Sequence, residues 1–204
     1  MYLSKFHLDI RNVMMRKCLA DCQIMHRSVQ RLFHCSREES GTLYRIDTQR
    51  LNIYIWSKIA PDITDIPEGM ELFGVKNLQG MEETLQPGRC FRFDILAAPT
   101  KKVPRRGGNS QRRFLRTPAE RMDWLRRKGE QYGFAILCVQ EGKKDIATGK
   151  HDDAHVGRMK DQAVLFQGLL KITQRDLFCK CWRNGLGPGK AYGRGMLLLK
   201  AAQV

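Results

Sequence analysis

One histidine of this chain stands in a setting suited to proton transfer. Gln23 and Gln30 lie three residues before His26 and four after it, so all three share one polar edge of a predicted helix. Imidazole suits this chemistry because its ordinary pKa of about 6.5 is close to working pH, and a positioned general acid or base typically contributes about 10²–10⁴-fold in rate. A lone helical histidine is more often structural, so both roles stay open on these residues alone.

The sequence GLGPGKAYGRG near the C-terminus is the second unusual feature. Its glycines stand at positions Gly185, Gly187, Gly189, Gly193 and Gly195. A phosphate-binding P-loop needs Gly, four residues and then Gly-Lys-Ser/Thr, but Asn184 stands five residues before Gly189 and Ala191 follows Lys190. The glycines therefore predict positive φ angles and a backbone that can lie close to a polymer or a neighbouring helix, with a tight structural turn as the alternative.

The cysteines predict neither disulfides nor a metal site. Their number, seven, is odd and their positions are scattered. Cys179 and Cys181 form a C-x-C with no second pair at zinc-finger distance. We expect no metal and no cofactor.

The charge is strongly positive and concentrated in one segment. The formal net charge is +15, and residues 101 to 128 carry eleven basic side chains against Glu120 and Asp123. Such a segment gains most when backbone phosphates replace its counterions, so it predicts a polyanionic partner, with a solvated basic face as the alternative.

The apolar pattern of the first half predicts the order β-α-β-β-(α)-β. A first strand is expected within residues 1 to 10, a single helix from about 14 to 34, a hairpin from 43–46 and 51–56, a short helix in the proline-containing connection after it, and a strand from 72 to 76.

The second half repeats this order. Strands are predicted at 90–98, 134–140, 164–172 and 191–199, a basic loop at 100–116, a helix from Thr117 to about Gln131 with a capping box, and a helix at about 174–183. We therefore predict an α+β protein of two tandem ferredoxin-like (RRM-like) β-α-β-β-α-β domains, residues 1–85 and 86–204.

The whole chain has the composition of an ordinary globular protein. Its 204 residues can bury a sizeable core, 42% of them are hydrophobic, and no apolar run approaches the roughly 20 residues of a membrane span. The opening MYLSKFHLDIRN has no signal-peptide organisation. The expectation is a cytoplasmic protein that is a monomer when alone and has no membrane partner.

Three stretches together resemble a known family. The opening MYLSK, the pattern IMHRSVQRLF around His26 and the closing GLGPGKAYGRGMLLL look like the CRISPR repeat-processing endoribonucleases of type I-E systems, the CasE subunits of Cascade. The resemblance covers the chain in order and length. It implies two ferredoxin-like domains, binding of the CRISPR repeat hairpin in precursor RNA, one metal-independent cut at the base of the stem, and retention of the mature crRNA together with the other Cascade subunits.

The resemblance also implies roles for three residues of the predicted helix. In metal-independent cleavage the adjacent 2′-hydroxyl attacks its own phosphate and leaves a 2′,3′-cyclic phosphate, and His26 matches the catalytic position. Gln23 stands where relatives carry a tyrosine, and a glutamine can donate a hydrogen bond but cannot exchange a proton. Arg31 stands where some relatives have a lysine, and its guanidinium can stabilise phosphate charge.

For RNA binding, an A-form stem is recognised largely through its shape and phosphates. The basic segment is expected to lie along such a stem, two cations near position 160 to clamp the strand near the cut, and the glycine-rich segment to hold RNA against the edge that carries His26. The residues predicted to bind RNA are Lys101, Lys102, Arg105, Arg106, Arg112, Arg113, Arg116, Arg158, Lys160, Lys190 and Arg194.

Other classes of protein remain as alternatives. A pure RRM module is disfavoured because its RNP motif is absent. A ribosomal or architectural RNA protein would explain the charge but not His26 beside a glycine-rich end. A non-catalytic, hairpin-binding Cascade subunit is the main alternative, since Gln23 departs from the family.

Overall fold

The computed structural model describes residues 1–105, 108–149 and 159–202, with backbone only at 105, 108, 109 and 159. The first half has the elements β1 (Tyr2–Leu8), α1 (Val13–Ala20), α2 (Cys22–Arg31), α3 (Arg37–Ser40), β2 (Leu43–Asp47), β3 (Asn52–Ser57) and β4 (Met70–Asn77). The second half has β5 (Cys90–Ala97), β6 (Thr100–Arg105), β7 (Gly108–Phe114), α4 (Pro118–Gln131), β8 (Phe134–Gly149), β9 (Met159–Ile172), α5 (Arg175–Asn184) and β10 (Leu197–Ala201). Short 3₁₀ turns occur at Met81–Thr84 and Lys190–Tyr192.

Each half contains one four-stranded antiparallel sheet of the same topology. The strand orders are β2-β3-β1-β4 in the first half and β10-β5-β9-β8 in the second. In both, the first and third strands of the sheet in chain order lie in the middle, which is the arrangement of a ferredoxin-like fold. The predicted tandem of ferredoxin-like folds is confirmed.

The connection between β3 and β4 does not contain the predicted short helix. Residues 58–69 have no helical turn. Pro61 and Pro67 remove backbone donors, and the Asp62 carboxylate accepts hydrogen bonds from the Thr64 amide at 2.8 Å and hydroxyl at 2.6 Å, which forms a local turn in place of a helix.

The single helix predicted from 14 to 34 is divided in two at Asp21. This residue is extended, with φ −135° and ψ 111°, and its amide donates to the Lys17 carbonyl at 3.0 Å, which ends α1. Its carboxylate accepts the Gln23 amide at 2.9 Å and caps α2. An aspartate side chain satisfies the free donors of a helix start, so a second helix begins here.

In the second half, the capping box from Thr117 to Glu120 at the start of α4 is confirmed. The predicted basic loop is instead the hairpin β6–β7, and the strand predicted at 134–140 continues to Gly149. The last strand begins at Leu197 and not at Ala191, because a 3₁₀ turn and positive φ at Gly193 and Gly195 occupy the intervening residues.

Two apolar clusters form the core and join the halves. One cluster lies between the first sheet and its helices and includes Phe6, Met25 and Val29. The other fills the second half but also contains Trp56 of β3, whose ring meets Trp182 of α5 edge-on with centroids 4.1 Å apart. Because this cluster draws on both halves, the boundary at residues 85 and 86 stays a prediction. No helix in the described ranges is long and apolar enough to cross a membrane.

Candidate active site

His26 lies on the open edge of α2. Its neighbours Met25 and Val29 point into the first core, which leaves the imidazole half-buried on the other side of the helix. Burial lowers the pKa of His26 from its ordinary 6.5, and the positive charges of Arg37 and Arg27 lower it further. The imidazole is therefore largely neutral at physiological pH and can accept a proton.

Gln23 is bonded to the glycine-rich segment one helical turn before His26. Its side-chain nitrogen lies 3.2 Å from the hydroxyl oxygen of Tyr192 and donates to it. The Tyr192 hydroxyl thus uses an acceptor position and keeps its own proton for another partner. Burial is the main reason why the pKa of Tyr192 is raised.

The glycine-rich segment is held against the first half. The Tyr44 hydroxyl donates to the Ala191 carbonyl at 2.9 Å. All five glycines have positive φ, as predicted, and a methyl group at Gly193 would come within 3.0 Å of the Tyr44 ring. The backbone therefore lies close to β2 and α2. The sequence predicted that it could lie close to a polymer or a neighbouring helix, and α2 is such a helix.

Of the two cations predicted in this segment, Lys190 lies near the site. It is half-buried, and burial lowers its pKa, with Arg37 as the next cause. A lysine in such a position is a strong donor to an anion because its charge is poorly compensated.

Arg194 is placed differently from what the sequence predicts. Only 3% of its side chain is exposed, and it bonds Asp161 at 3.0 Å and also Asp145. These two carboxylates belong to β9 and β8, so Arg194 fastens the glycine-rich segment to the second sheet. Arg194 is therefore not part of the proposed RNA-binding surface.

Arg31 also has an acidic partner. Its guanidinium forms a bidentate pair with Asp65, with distances of 2.8 and 2.5 Å. About 60% of the side chain remains exposed, so the pair is screened by solvent and can exchange its carboxylate for a phosphate.

The long hairpin β8–β9 reaches the start of α2. Thr148 donates from its hydroxyl to the Ala20 carbonyl at 3.4 Å, and a methyl group at Gly149 would lie 3.1 Å from the Gln23 side chain. Lys160 pairs with Thr148 across the hairpin and is exposed. This predicted residue is thus carried to the α1–α2 junction, whereas Arg158 lies outside the described residues.

The predicted basic segment forms a charged face on the hairpin β6–β7. Lys101 pairs with Arg113 and Lys102 with Arg112 across the two strands, and all four side chains are exposed. Lys101 also bonds Glu120 at 3.1 Å, and hydrogen bonds, first from the Thr117 backbone and then from Lys101, lower the pKa of this carboxyl to about 2. Like charges on facing strands repel each other, and a polyanion relieves this repulsion.

The remaining predicted cations are described only in part. Arg116 is exposed at the start of α4. Arg105 is described as backbone only, and Arg106 lies outside the described residues.

Two residues that interact with α2 were not predicted as functional from the sequence. Tyr192 could have been noticed as the one aromatic residue within the glycine-rich segment. Arg37 gave no signal, because its distance from His26 depends on how α3 folds back. In the described ranges, no cluster of three or more His, Cys, Asp or Glu side chains could hold a metal ion.

These features define a class of protein with two ferredoxin-like sheets, a basic hairpin and a half-buried histidine on a helix that is bonded to a glycine-rich segment. The chain belongs to the CRISPR-associated protein family, whose model matches residues 1–201.

Individual relatives resemble the chain over nearly its whole length. It is 30% identical to the CRISPR-associated endoribonuclease Cse3 of Thermus thermophilus, covering 97% of this chain and 98% of that protein. The structure of Thermus thermophilus Cse3 bound to an RNA representing a pre-cleavage complex matches with a TM-score of 0.85 and 28% identity, over 98% of each chain. A chain of a CRISPR RNA-guided surveillance complex in a pre-nicking state matches with a TM-score of 0.77 and 25% identity, over 99% of this chain and all of the other.

Proposed function

We propose that this protein is a metal-independent endoribonuclease that binds the CRISPR repeat hairpin in precursor RNA and cleaves it once at the base of the stem. Family membership, the endoribonuclease named among its relatives and the RNA held by one of them support the substrate. The main support for this chemistry is the environment of His26. Its imidazole is half-buried and its pKa is lowered by burial and by the charges of Arg37 and Arg27.

The cleavage is a transesterification at one phosphodiester. The 2′-hydroxyl oxygen attacks the neighbouring phosphorus, the bond from phosphorus to the 5′-oxygen breaks, and the products carry a 2′,3′-cyclic phosphate and a 5′-hydroxyl. A neutral His26 can accept the 2′-hydroxyl proton, and an imidazolium can return one to the leaving oxygen. Lys190 and Arg31 supply positive charge for the phosphorane.

The exposed cations of the hairpin β6–β7 bind the stem, and Lys160 binds the strand near the start of α2. Because these contacts involve phosphates, they hold the product as well as the substrate. The protein therefore keeps the mature crRNA. In this proposal it works in the cytoplasm together with the other Cascade subunits, and it is a monomer when alone.

The test is cleavage of a labelled repeat hairpin in excess EDTA by wild type, His26→Ala and the control His7→Ala, which removes a histidine from the outer side of β1. We expect one cut with a cyclic phosphate end, lost in His26→Ala and kept in His7→Ala, with hairpin binding intact in all three. Cleavage that survives His26→Ala would overturn the proposed catalytic role.

A second function is favoured by one observation at Gln23. Its amide is already engaged by Tyr192 and it cannot exchange a proton, which fits a subunit that binds the hairpin without cutting it. Tight binding with no cut by wild type, with or without EDTA, would decide for this alternative.

A further inference from the structure

Arg37 is a cation of this region with no acidic partner among the described residues. Its Nε atom is buried and has no hydrogen-bond partner. Within the part of the chain that the structure describes, no carboxylate pairs with its guanidinium, whereas Arg31 pairs with Asp65 and Arg194 with Asp161. Buried donors in native folds almost always have an acceptor, so this guanidinium is suited to an acceptor from outside the chain.

Two hydrogen bonds and the order of the chain bring Lys190 towards this region. Gln23 of α2 holds Tyr192, and Tyr44 holds Ala191, the residue next to Lys190. Tyr44 lies in β2, which directly follows the short helix α3 that starts at Arg37. The glycine-rich segment is thereby fixed between α2 and the chain that carries Arg37.

The electrostatics agree with this arrangement. The charge of Arg37 lowers the pKa of both His26 and Lys190, so the guanidinium acts electrostatically on each of them. Among the described residues, no carboxylate contributes to the shift at either group: the other ionisable causes are Arg27 at His26, and Cys181 and Lys128 at Lys190. A single anion in this position would interact with several unlike charges at once.

We propose that Arg37 and Lys190 together bind one phosphate of the RNA backbone beside His26, with the Arg37 guanidinium as the bidentate ligand. A guanidinium presents parallel N–H groups that match two phosphate oxygens, whereas an ammonium acts as a point charge. The pair fixes the position of the phosphodiester relative to the imidazole. This inference rests on the proposed function for its ligand, RNA, but not on cleavage.

The test is a thermodynamic double-mutant cycle, in which the Arg37 side chain and single phosphates of the RNA are changed separately and together. The probe is the repeat hairpin with 2′-deoxyribose at the cleaved position and a single neutral methylphosphonate linkage, moved in turn through each linkage at the base of the stem. Dissociation constants are measured for wild type, Arg37→Gln, Arg37→Lys and the control Arg89→Gln, which removes an exposed charge from the turn between the halves. Thermal melts verify that each variant is folded.

At one linkage, we expect the methylphosphonate to weaken wild-type binding about tenfold and Arg37→Gln binding by only about threefold, because Lys190 still contacts that phosphate in the variant. Arg37→Gln should also reduce the slope of log K against log[salt] by about one unit. Arg37→Lys should keep the wild-type slope but lose part of the affinity. Arg89→Gln should respond to the modification as wild type does.

Equal effects of the methylphosphonate in wild type and Arg37→Gln at every linkage would overturn the proposal. The probe cannot be cleaved, so this outcome is independent of whether the enzyme cuts RNA. A wild type that fails to cleave natural hairpin but shows the coupling would refute the nuclease function and support the phosphate site.

Discussion

The side-chain nitrogen of Gln23 lies 3.2 Å from the hydroxyl of Tyr192, although the two residues are 169 positions apart in the chain. This bond joins α2 of the first half to the glycine-rich segment of the second, one helical turn from His26. We therefore expect its two partners to act as a unit in stability and in the order of the site.

A double-mutant cycle tests that bond. Tyr192→Phe and Gln23→Ala should each lower the free energy of unfolding by about 1 kcal/mol, and the double variant should cost little more than either one. Denaturant unfolding monitored by tryptophan fluorescence measures all three. Strictly additive losses would mean that the two side chains do not interact in solution.

The ionisation of His26 should have its midpoint below 6.5, because burial and then Arg37 lower its pKa. Between the folded and unfolded pKa values the unfolded state binds more protons, so stability should fall as pH drops below about 6.5 and through the folded pKa. Bound RNA should raise the midpoint, since phosphates favour the imidazolium. An NMR titration with and without uncleavable hairpin, assigned with His26→Ala, gives both values, and a free midpoint at or above 6.5 would contradict the prediction.

Lys190→Ala and Arg194→Ala should affect different properties. Lys190 is free to meet phosphate, so its loss should reduce the salt slope of hairpin binding by about one unit with little change in stability. Arg194 is buried against Asp161, so its loss should lower the free energy of unfolding by about 2 kcal/mol and leave the slope unchanged. The salt dependence of hairpin binding and urea unfolding are measured for both variants, so each variant is the control for the other. A reduced salt slope in Arg194→Ala with unchanged stability would instead identify Arg194 as an RNA ligand.

Gly195 is required for two separable reasons. It has φ +80°, and a methyl group there would collide with the Leu186 carbonyl oxygen. Gly80 has nearly the same φ, +82°, but open space around it. Gly80→Ala should therefore cost about 1 kcal/mol for backbone strain alone, and Gly195→Ala distinctly more. Equal losses in thermal unfolding would show that the collision is relieved without cost.

The facing pair Lys102 and Arg112 should separate binding from stability in the hairpin β6–β7. Replacing both with Gln removes a repulsion between like charges and should leave the protein as stable as wild type or more stable by a few tenths of a kcal/mol. The same change should weaken hairpin binding and reduce its salt slope by about two units. Wild-type affinity at all salt concentrations would exclude the hairpin from the RNA-binding surface.

The sequence by itself determined the elements whose signals are local. The alternation of Phe91, Phe93 and Ile95 marks β5, Thr117 and Glu120 mark the start of α4, and the repeated element order predicts the tandem fold. His26 and the glycine-rich segment could be found because their residue types and spacing carry the resemblance to the CasE family.

Only the tertiary structure decided which of the cations are available. Lys190 and Arg194 stand four residues apart with the same charge, yet one is open to an anion and the other is bound to carboxylates of β8 and β9. The effect of the Arg37 charge on His26 and Lys190 likewise depends on how separate chain segments fold together. Electrostatic environment is set by distances and burial in three dimensions, and a sequence pattern specifies only neighbours along the chain.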